Sequence, residues 1–440
     1  MSNIESLYQH YLTHRTISTD TRNITRGCLF FALKGEHFDA NTFAAQALEQ
    51  GAAYAIIDNP NYQINEQCIL VEDVLTTLQE LAKHHRQQLN IPVIGLTGSN
   101  GKTTTKELIN AVLSQKYKTF ATKGNLNNHI GVPLSLLSIH DEIEIAVIEM
   151  GANHQKEIEF LCTLSQPTHG MITNVGMAHL DGFGGFEGVK KGKAELYAYL
   201  KQHDGYAFIN HNNSYLMEMS TKAGLNKIVY YGTTAGTETN NSVSGTLIKA
   251  DPFIEISWVG QNAPAQQQNV KANLTGAYNF ENILAAICIG QFFELDATAI
   301  NNGLANYFPS NNRSQLTKTE SNTVICDFYN ANPSSMSAAL TNIKGLSAEN
   351  KVAIIGDMFE LGPESLEQHD LIAAKAEQAG LNTLVFIGKD FYAYKDKYKG
   401  HFFTTPQEAR EFLQANPVKN SLVLLKGSRG MALEQLMPLL

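Results

Sequence analysis

Residues 95–105 read Gly-Leu-Thr-Gly-Ser-Asn-Gly-Lys-Thr-Thr-Thr, between a strand-like apolar run, Ile91 to Leu96, and a helix-like run, Lys106 to Tyr117. Strand, glycine turn and helix in that order commit this part of the chain to an α/β layout, and the turn is built to cradle phosphates. A glycine-rich turn such as Gly98, Ser99, Asn100 and Gly101 lets consecutive backbone N–H groups point at phosphate oxygens, and the following helix adds its positive end. Lys102 reaches the β- and γ-phosphates, Thr103 offers a hydroxyl to Mg²⁺, and Thr104 completes the loop. The spacing departs from strict G-x-x-x-x-G-K-[ST]: Leu96 stands in the place of the first glycine, and Gly98 lies three residues before Gly101. An ordinary glycine turn needs no lysine followed by three threonines, so the segment is read as a variant triphosphate loop.

A chain of 440 residues exceeds one ordinary core, and three domains are expected, at 1–89, 90–309 and 310–440. Apolar residues make up 43% and charged residues 17%, as in globular proteins, and a net charge of −9 argues against nucleic acid as a partner. Anionic ligands must therefore meet local basic pockets. Cys28, Cys68, Cys162, Cys288 and Cys326 are scattered without a C-x-x-C pair, which suits a reducing cytoplasm better than a disulfide framework or a zinc site. Met1 to Thr13 lacks a basic-then-apolar leader, and no apolar run reaches about 18 residues, so neither export nor membrane insertion is expected.

Within 1–88, strand candidates Cys28–Leu33 and Ala53–Ile57 alternate with helical patterns at Ala40–Gln50 and Val74–Gln88. Asn90-Ile91-Pro92 marks the exit. Strand-like runs Val93–Leu96, Ala146–Met150 and Gly170–Asn174, separated by helical stretches, predict parallel βαβ units. Residues 231–271, with alternating Phe253-Ile254-Glu255-Ile256-Ser257-Trp258, read as a β-rich insertion. Beyond Tyr307-Phe308-Pro309-Ser310 the rhythm resumes at Thr323–Asp327, Lys351–Asp357, Thr383–Gly388 and Ser421–Lys426, a further parallel sheet.

Glu149 ends the apolar strand Glu144 to Ile148, where an α/β sheet places ligands, and a carboxylate there can hold Mg²⁺ against a triphosphate. His179 lies in the turn Asn174–Gly182 and offers a nitrogen; alone, Glu149 reads equally as a strand end and His179 as a hydrogen-bonded loop histidine. Lys190, Lys191 and Lys193 open a helix, either as a solvated face or, near a metal, as charge or a carbamylated ligand. Asn125, Asn127 and Asn128 suit a turn as well as they suit recognition of polar groups. Asn279 and Asn282 lie one turn apart at a helix start, as base-reading amides or as caps. Arg313 follows the hinge, Asp327-Phe328-Tyr329-Asn330-Ala331-Asn332-Pro333 ends a strand in a polar turn, and Lys426-Gly427-Ser428-Arg429-Gly430 forms an anion site or a simple cap.

Together these segments resemble the Mur ligases of peptidoglycan synthesis over nearly the whole chain. The likeness is carried by Ser18-Thr19-Asp20-Thr21-Arg22, Phe31-Ala32-Leu33-Lys34-Gly35-Glu36, the loop Thr97–Thr104, Gly124-Asn125-Leu126-Asn127-Asn128, Tyr329-Asn330-Ala331-Asn332-Pro333 and Gly356-Asp357-Met358. It implies an α/β chain of three domains: a small N-terminal domain binding a UDP-sugar, a central P-loop domain with a parallel sheet, and a Rossmann-like C-terminal domain that closes over the nucleotide and binds an incoming dipeptide. By resemblance, Lys102 is the γ-phosphate lysine, Thr103 and Glu149 ligate magnesium, His179 is a second metal-site residue, and Lys193 is the carbamylated lysine. Asn279 and Asn282 face adenine, Arg313 the phosphates, and Asp327 the ribose. Thr19, Asp20, Arg22, Lys34, Asn125, Asn127, Asn128, Tyr329, Asn330 and Asn332 contact substrate. The chain departs from the pattern at Tyr278, where many relatives carry histidine, and at Phe328, where serine is expected.

The resemblance implies a monomer that uses ATP and Mg²⁺ to join D-alanyl-D-alanine to a UDP-N-acetylmuramoyl-tripeptide through an acyl phosphate. Lys102, Lys193, His179 and Arg313 are the expected catalytic groups. The alternatives are another amide ligase of the same architecture, either one adding the third residue or one resembling folylpolyglutamate synthase, and a P-loop ATPase switch. The Asn-Leu-Asn-Asn and Tyr-Asn-Ala-Asn-Pro segments weigh against the other ligases.

Overall fold

The strands Val93–Thr97 and Ile145–Glu149 are buried at every position, the mark of parallel strands covered by helices on both faces. They lie side by side in a nine-stranded sheet. From one edge its order is Gln268–Ala272, Ile254–Gly260, Asn241–Ala250, Lys227–Thr233, Tyr206–Asn210, His169–Ile172, Val93–Thr97, Ile145–Glu149 and Thr119–Ala121. The computed structural model describes residues 3–233, 241–260 and 266–440.

One face of this sheet is covered by helices Lys102–Leu113, Asn279–Phe292 and Ala297–Ala305, around a core of Ile94, Leu108, Ile109, Ile283 and Ile287. On the other face lie Glu157–Ser165 and Phe186–Gln202, around Ile148, Ile158, Leu161, Leu196 and Tyr197. The stretch expected as a β-rich insertion extends this same sheet. Lys227–Thr233 pairs in parallel with Tyr206–Asn210, and Asn241–Ala250, Ile254–Gly260 and Gln268–Ala272 continue it as an antiparallel meander. Its alternating side chains bury Ile254, Ile256 and Trp258 against the helix layer, which is why it joins the core. Residues 234–240 and 261–265 of that expected insertion lie outside the described residues.

The N-terminal sheet is four parallel strands in the order Ile17–Ser18, Leu29–Phe31, Tyr54–Ile57 and Cys68–Leu70. Helix Val74–Gln88 follows, its first turn held by the Asp73 carboxylate, which accepts the Thr76 N–H at 2.7 Å. That helix packs on Gly131–Leu136 and Glu157–Ser165, so the N-terminal and central sheets share one apolar core. Buried polar groups reinforce the join: Tyr11 donates to the Leu137 carbonyl at 2.8 Å and Arg86 to the carbonyls of Ser165 and Gln166 at 2.9 and 3.0 Å.

The C-terminal sheet runs Gln315–Lys318, Thr323–Asp327, Leu422–Lys426, Lys351–Gly356, Thr383–Ile387 and His401–Phe403. All pairs but the first are parallel. Its two cores contain no residue before Leu316, so among the described residues no apolar cluster joins it to the rest. Polar contacts make that boundary: Met177 N–H donates to Ser334 Oγ, the Asn342 side chain to Thr275 Oγ1, and Ser347 N–H to the Asp251 carboxylate.

Candidate active site

The carboxyl ends of the adjacent strands His169–Ile172, Val93–Thr97 and Ile145–Glu149 face the C-terminal sheet across a cavity of about 750 Å³. Ligands of open α/β sheets occupy such crevices. Ser99, Asn100, Gly101, Lys102 and Thr104 line it on one side, with Asn125, Asn127, Asn128, Glu149, His179, Asn279 and Asn282; Arg313, Asp327, Tyr329, Asn330 and Asn332 line the other. Two of the loop's glycines are sterically required. Gly98 has φ +145° and a Cβ there would overlap the Thr173 hydroxyl; Gly101 has φ +76° and a Cβ would sit 2.9 Å from Asn282 Oδ1.

Lys102 begins helix Lys102–Leu113, and its ammonium folds back to the loop carbonyls of Gly98 at 2.7 Å and Ser99 at 3.4 Å. Protein encloses the charge on most sides although the side chain is reachable from the cavity. Burial lowers its pKa to about 8, with Glu149 opposing the shift and Arg313 adding to it.

At the next helix position, Thr103 Oγ1 donates to Glu149 Oε2 at 3.0 Å, and Asn127 Nδ2 donates to Glu149 Oε1 at 2.8 Å. Beneath them lies Lys106, fully buried, 3.9 Å from Glu149 Oε2 and 3.0 Å from Glu107, and donating to the Thr122 carbonyl. Sequence reasoning assigned Lys106 no role. Its only local signal is a position four residues after Lys102, on the same helix face.

His179 sits in the left-handed region at φ +53° and its Nδ1 meets the Glu360 carboxylate in the loop after strand Lys351–Gly356 of the C-terminal domain. Burial pulls its pKa down and Glu360 opposes that. Lys193 is buried beneath the cavity floor, with Nζ 3.4 Å from the Ala152 carbonyl and 5.0 Å from the Phe183 ring centre. Burial, and next the charge of Lys102, lower its amine to about 7. Lys190, by contrast, pairs with Glu187 and lies over the Tyr215 ring, and Lys191 is exposed, the solvated-face alternative.

Asn282 Nδ2 donates to Asn279 Oδ1 at 2.9 Å, and Asn279 Nδ2 to the Thr275 carbonyl at 2.8 Å. These buried amides hold one another and press on Gly101. On the far wall Arg313 lies over the Tyr329 ring at 3.9 Å, with its buried Nε lacking a hydrogen-bond partner among the described residues. Ser314 joins the domains: its hydroxyl meets Tyr278 Oη at 2.7 Å, and its N–H donates to Asp327 Oδ1 at 3.1 Å. Asp327 Oδ2 then accepts Lys426 Nζ at 2.7 Å, the two residues being register partners on neighbouring strands. Lys426 also donates to the Asn330 carbonyl at 3.2 Å, so its charge is directed to protein groups instead of an open anion site. Neither Ser314 nor the Lys426 pairing was visible in the sequence, since each partner lies on another element.

Four of the expected substrate residues sit elsewhere in the N-terminal domain: Thr19, Asp20 and Arg22 just after strand Ile17–Ser18, and Lys34 on the short strand Lys34–Gly35 that pairs with Phe38–Asp39. Asp20 holds Arg22 in an exposed ion pair at 2.7 Å next to Thr19, and Lys34 reaches the largely buried Asp58 carboxylate at 2.7 Å.

Sequence models of three domains match the chain: Mur ligase family, catalytic domain, over residues 14–86; Mur ligase middle domain over 96–290; and Mur ligase, glutamate ligase domain, over 312–429. The chain is 36% identical to the UDP-N-acetylmuramoyl-tripeptide–D-alanyl-D-alanine ligase of Escherichia coli, over 96% of this chain and 93% of that one. The enzyme of the same name from Bacillus subtilis is 34% identical, over 98% and 93%. This protein belongs to the Mur ligase family. Among solved Mur ligases, MurF from Acinetobacter baumannii superposes with a TM-score of 0.85 at 32% identity, covering 96% of this chain and 92% of that one. MurF ligase from Thermotoga maritima in complex with ADP gives 0.83 at 25% identity, covering 100% and 98%. A folylpolyglutamate synthase from Mycobacterium tuberculosis, at 15% identity and a TM-score of 0.63, shares the fold alone. The α/β, three-domain Mur ligase architecture and an ATP-dependent amide-ligase class therefore hold for this chain.

Proposed function

We infer that this Mur ligase couples ATP cleavage to amide formation between a UDP-N-acetylmuramoyl-tripeptide and D-alanyl-D-alanine, giving a pentapeptide precursor of peptidoglycan. The observation that carries the reading is one cavity bounded by the phosphate loop with Glu149 on one wall and Arg313, Asp327 and the Tyr329–Asn332 turn on the other. Full-length identity to enzymes of that printed activity supports it.

In this reading the tripeptide's terminal carboxylate attacks the γ-phosphorus of ATP, ADP leaves, and an acyl phosphate forms. The dipeptide amine then attacks the acyl carbon, the C–O bond to phosphate breaks, and the amine loses a proton as phosphate departs. Lys102 turns from the Gly98 carbonyl to the phosphates and neutralises their charge, while Arg313, held flat on Tyr329, does so from the opposite wall. Holding the carboxylate and the phosphate in line supplies much of the acceleration. Domain closure excludes water that would otherwise hydrolyse the acyl phosphate.

The donor set suits Mg²⁺, a hard cation that prefers oxygen: the Glu149 carboxylate and Thr103 hydroxyl adjoin one another where the triphosphate would end. Bound there, the ion would supply charge neutralisation of the phosphates. Burial lowers the pKa of the Lys193 amine to about 7, so a substantial share is unprotonated at neutral pH, the form that reacts with CO₂ to give a carbamate. The N-terminal segments at Thr19–Arg22 and Lys34 are assigned to the UDP-sugar. Five free, buried cysteines favour a cytoplasmic site of action, and no helix among the described residues is long and apolar enough to cross a membrane.

The test is incubation with ATP, Mg²⁺, D-alanyl-D-alanine and UDP-muramoyl-tripeptides ending in lysine or diaminopimelate, followed by mass spectrometry. A product heavier by the dipeptide less one water is expected with one or both tripeptides. Phosphate release at full rate without the dipeptide, and no ligated product, would turn the reading to an ATPase switch.

A further inference from the structure

Asn100 is the side chain at the centre of the phosphate loop, and both its backbone groups are already committed. Its N–H donates to Asn174 Oδ1 at 3.0 Å, and its carbonyl accepts from Asn174 Nδ2 at 3.1 Å and Thr173 Oγ1 at 2.6 Å. The loop is thereby fixed to the end of strand His169–Ile172. Only the side-chain amide is left to act elsewhere, and it reaches across the cavity, where Asn332 Nδ2 donates to Asn100 Oδ1 at 2.8 Å.

Asn332 presents that donor for a local reason. It caps helix Pro333–Gly345, its Oδ1 accepting the Ser335 N–H at 2.9 Å while Ser335 Oγ accepts the Asn332 N–H at 3.1 Å. With Oδ1 occupied by the cap, Nδ2 must point outward, and the amide cannot flip without losing the cap. The same helix start adds Ser334, whose Oγ accepts the Met177 N–H at 3.2 Å. Since no apolar cluster crosses this boundary among the described residues, a few polar contacts carry its stability, and a single well-oriented one has leverage over closure.

We propose that the Asn100–Asn332 amide pair is a positioning latch that couples nucleotide occupancy of the phosphate loop to closure of the C-terminal domain. The pair touches the loop through its own middle residue and the C-terminal domain through a helix cap, and because Asn174 and Thr173 fix the Asn100 backbone, the loop that would seat the nucleotide also holds the acceptor for Asn332 in place. By reciprocity, closure tightens nucleotide binding by the same factor. The inference rests on the reading that ATP binds in this loop.

The test uses the full chain and three variants: Asn100→Ala, Asn332→Ser and the double. Serine retains an N-cap hydroxyl for Ser335 but is too short to reach Asn100. Small-angle X-ray scattering with and without AMP-PNP and Mg²⁺ reads closure, and calorimetry reads AMP-PNP affinity. Each single variant is expected to lose nucleotide-induced compaction and to bind AMP-PNP about five- to tenfold more weakly. The double variant should lose no more than the weaker-binding single, because both remove one contact. Compaction equal to wild type in Asn332→Ser, or a double variant showing the product of the single effects, would overturn the latch. So would a lower melting temperature of nucleotide-free Asn332→Ser accounting for the loss, since that places the effect in the cap. Failure of the wild-type chain to make the ligated product would count against the proposed reaction, while the scattering comparison would still decide the latch.

Discussion

Thr103 and Glu149, 46 residues apart, meet at 3.0 Å with the threonine hydroxyl donating to the carboxylate. The contact holds the first turn of the phosphate-loop helix against the end of the neighbouring strand, whose Glu149 lines the cavity. The buried Lys106 side chain lies 3.9 Å from the same carboxylate as an oppositely charged partner. Replacing Glu149 by Gln keeps the shape and removes the charge. Ligation should fall by about a hundred- to a thousandfold, with a higher Mg²⁺ requirement; turnover measured across a Mg²⁺ titration checks this, and an unchanged Mg²⁺ dependence would count against the metal role.

Lys102→Ala removes the one cation that the loop aims at its own carbonyls. ADP release in the presence of both substrates should drop by at least about a hundredfold, with the circular dichroism spectrum unchanged. Normal turnover would refute the assignment of this loop to the reacting phosphates.

The Asp327–Lys426 pair sits at the carboxyl ends of two adjacent strands, with the lysine side chain 2% exposed. Asp327→Ala leaves that ammonium without its carboxylate in a low-dielectric place and is expected to destabilise the C-terminal domain by about 3 kcal/mol. Lys426→Met, which removes the buried charge itself, should cost less. Urea unfolding followed by a probe in the C-terminal domain distinguishes the two, and equal losses would show that the pair's burial matters little.

His169 is stacked on Tyr206 with ring centres 5.3 Å apart and lies edge-on to Phe292, and burial lowers its pKa to about 4. In the unfolded chain the imidazole binds a proton near pH 6.5, while in the fold it resists protonation until about pH 4. The unfolded state therefore binds more protons across that window, so stability falls as pH drops from about 6.5 to about 4, by about 2 to 3 kcal/mol from this group. His169→Phe, which preserves the stack, should flatten the melting temperature over that range relative to wild type. Parallel pH profiles for the two proteins would exclude the histidine as the source.

Much of this protein is legible in local pattern. The strands ending at Thr97, Glu149 and Asp327 follow from short apolar runs bounded by turn residues, and the loop between them follows from glycine, lysine and threonine order. The strand-end position of Glu149 follows from the same pattern, because an α/β sheet directs such ends to its crevice. The boundaries that differ lie where a helix begins inside the motif itself: helix Lys102–Leu113 starts at the lysine, and Phe186–Gln202 starts before the lysine cluster.

What the sequence alone determined was the type and order of elements, the phosphate loop and the membership of the α/β class, since side-chain period and turn chemistry are local properties. Tertiary structure decided the partners. Residues 231–271 read as an insertion until strand pairing joined their described part to the central sheet. Lys426 could be read as an anion site or a simple cap, and packing gave it Asp327 as a partner; Asn332 could be placed in a polar turn, and packing brought its Nδ2 to Asn100, 232 residues away. A buried donor or acceptor must be satisfied by whatever the fold places within about 3 Å, and that choice is made by packing between distant segments.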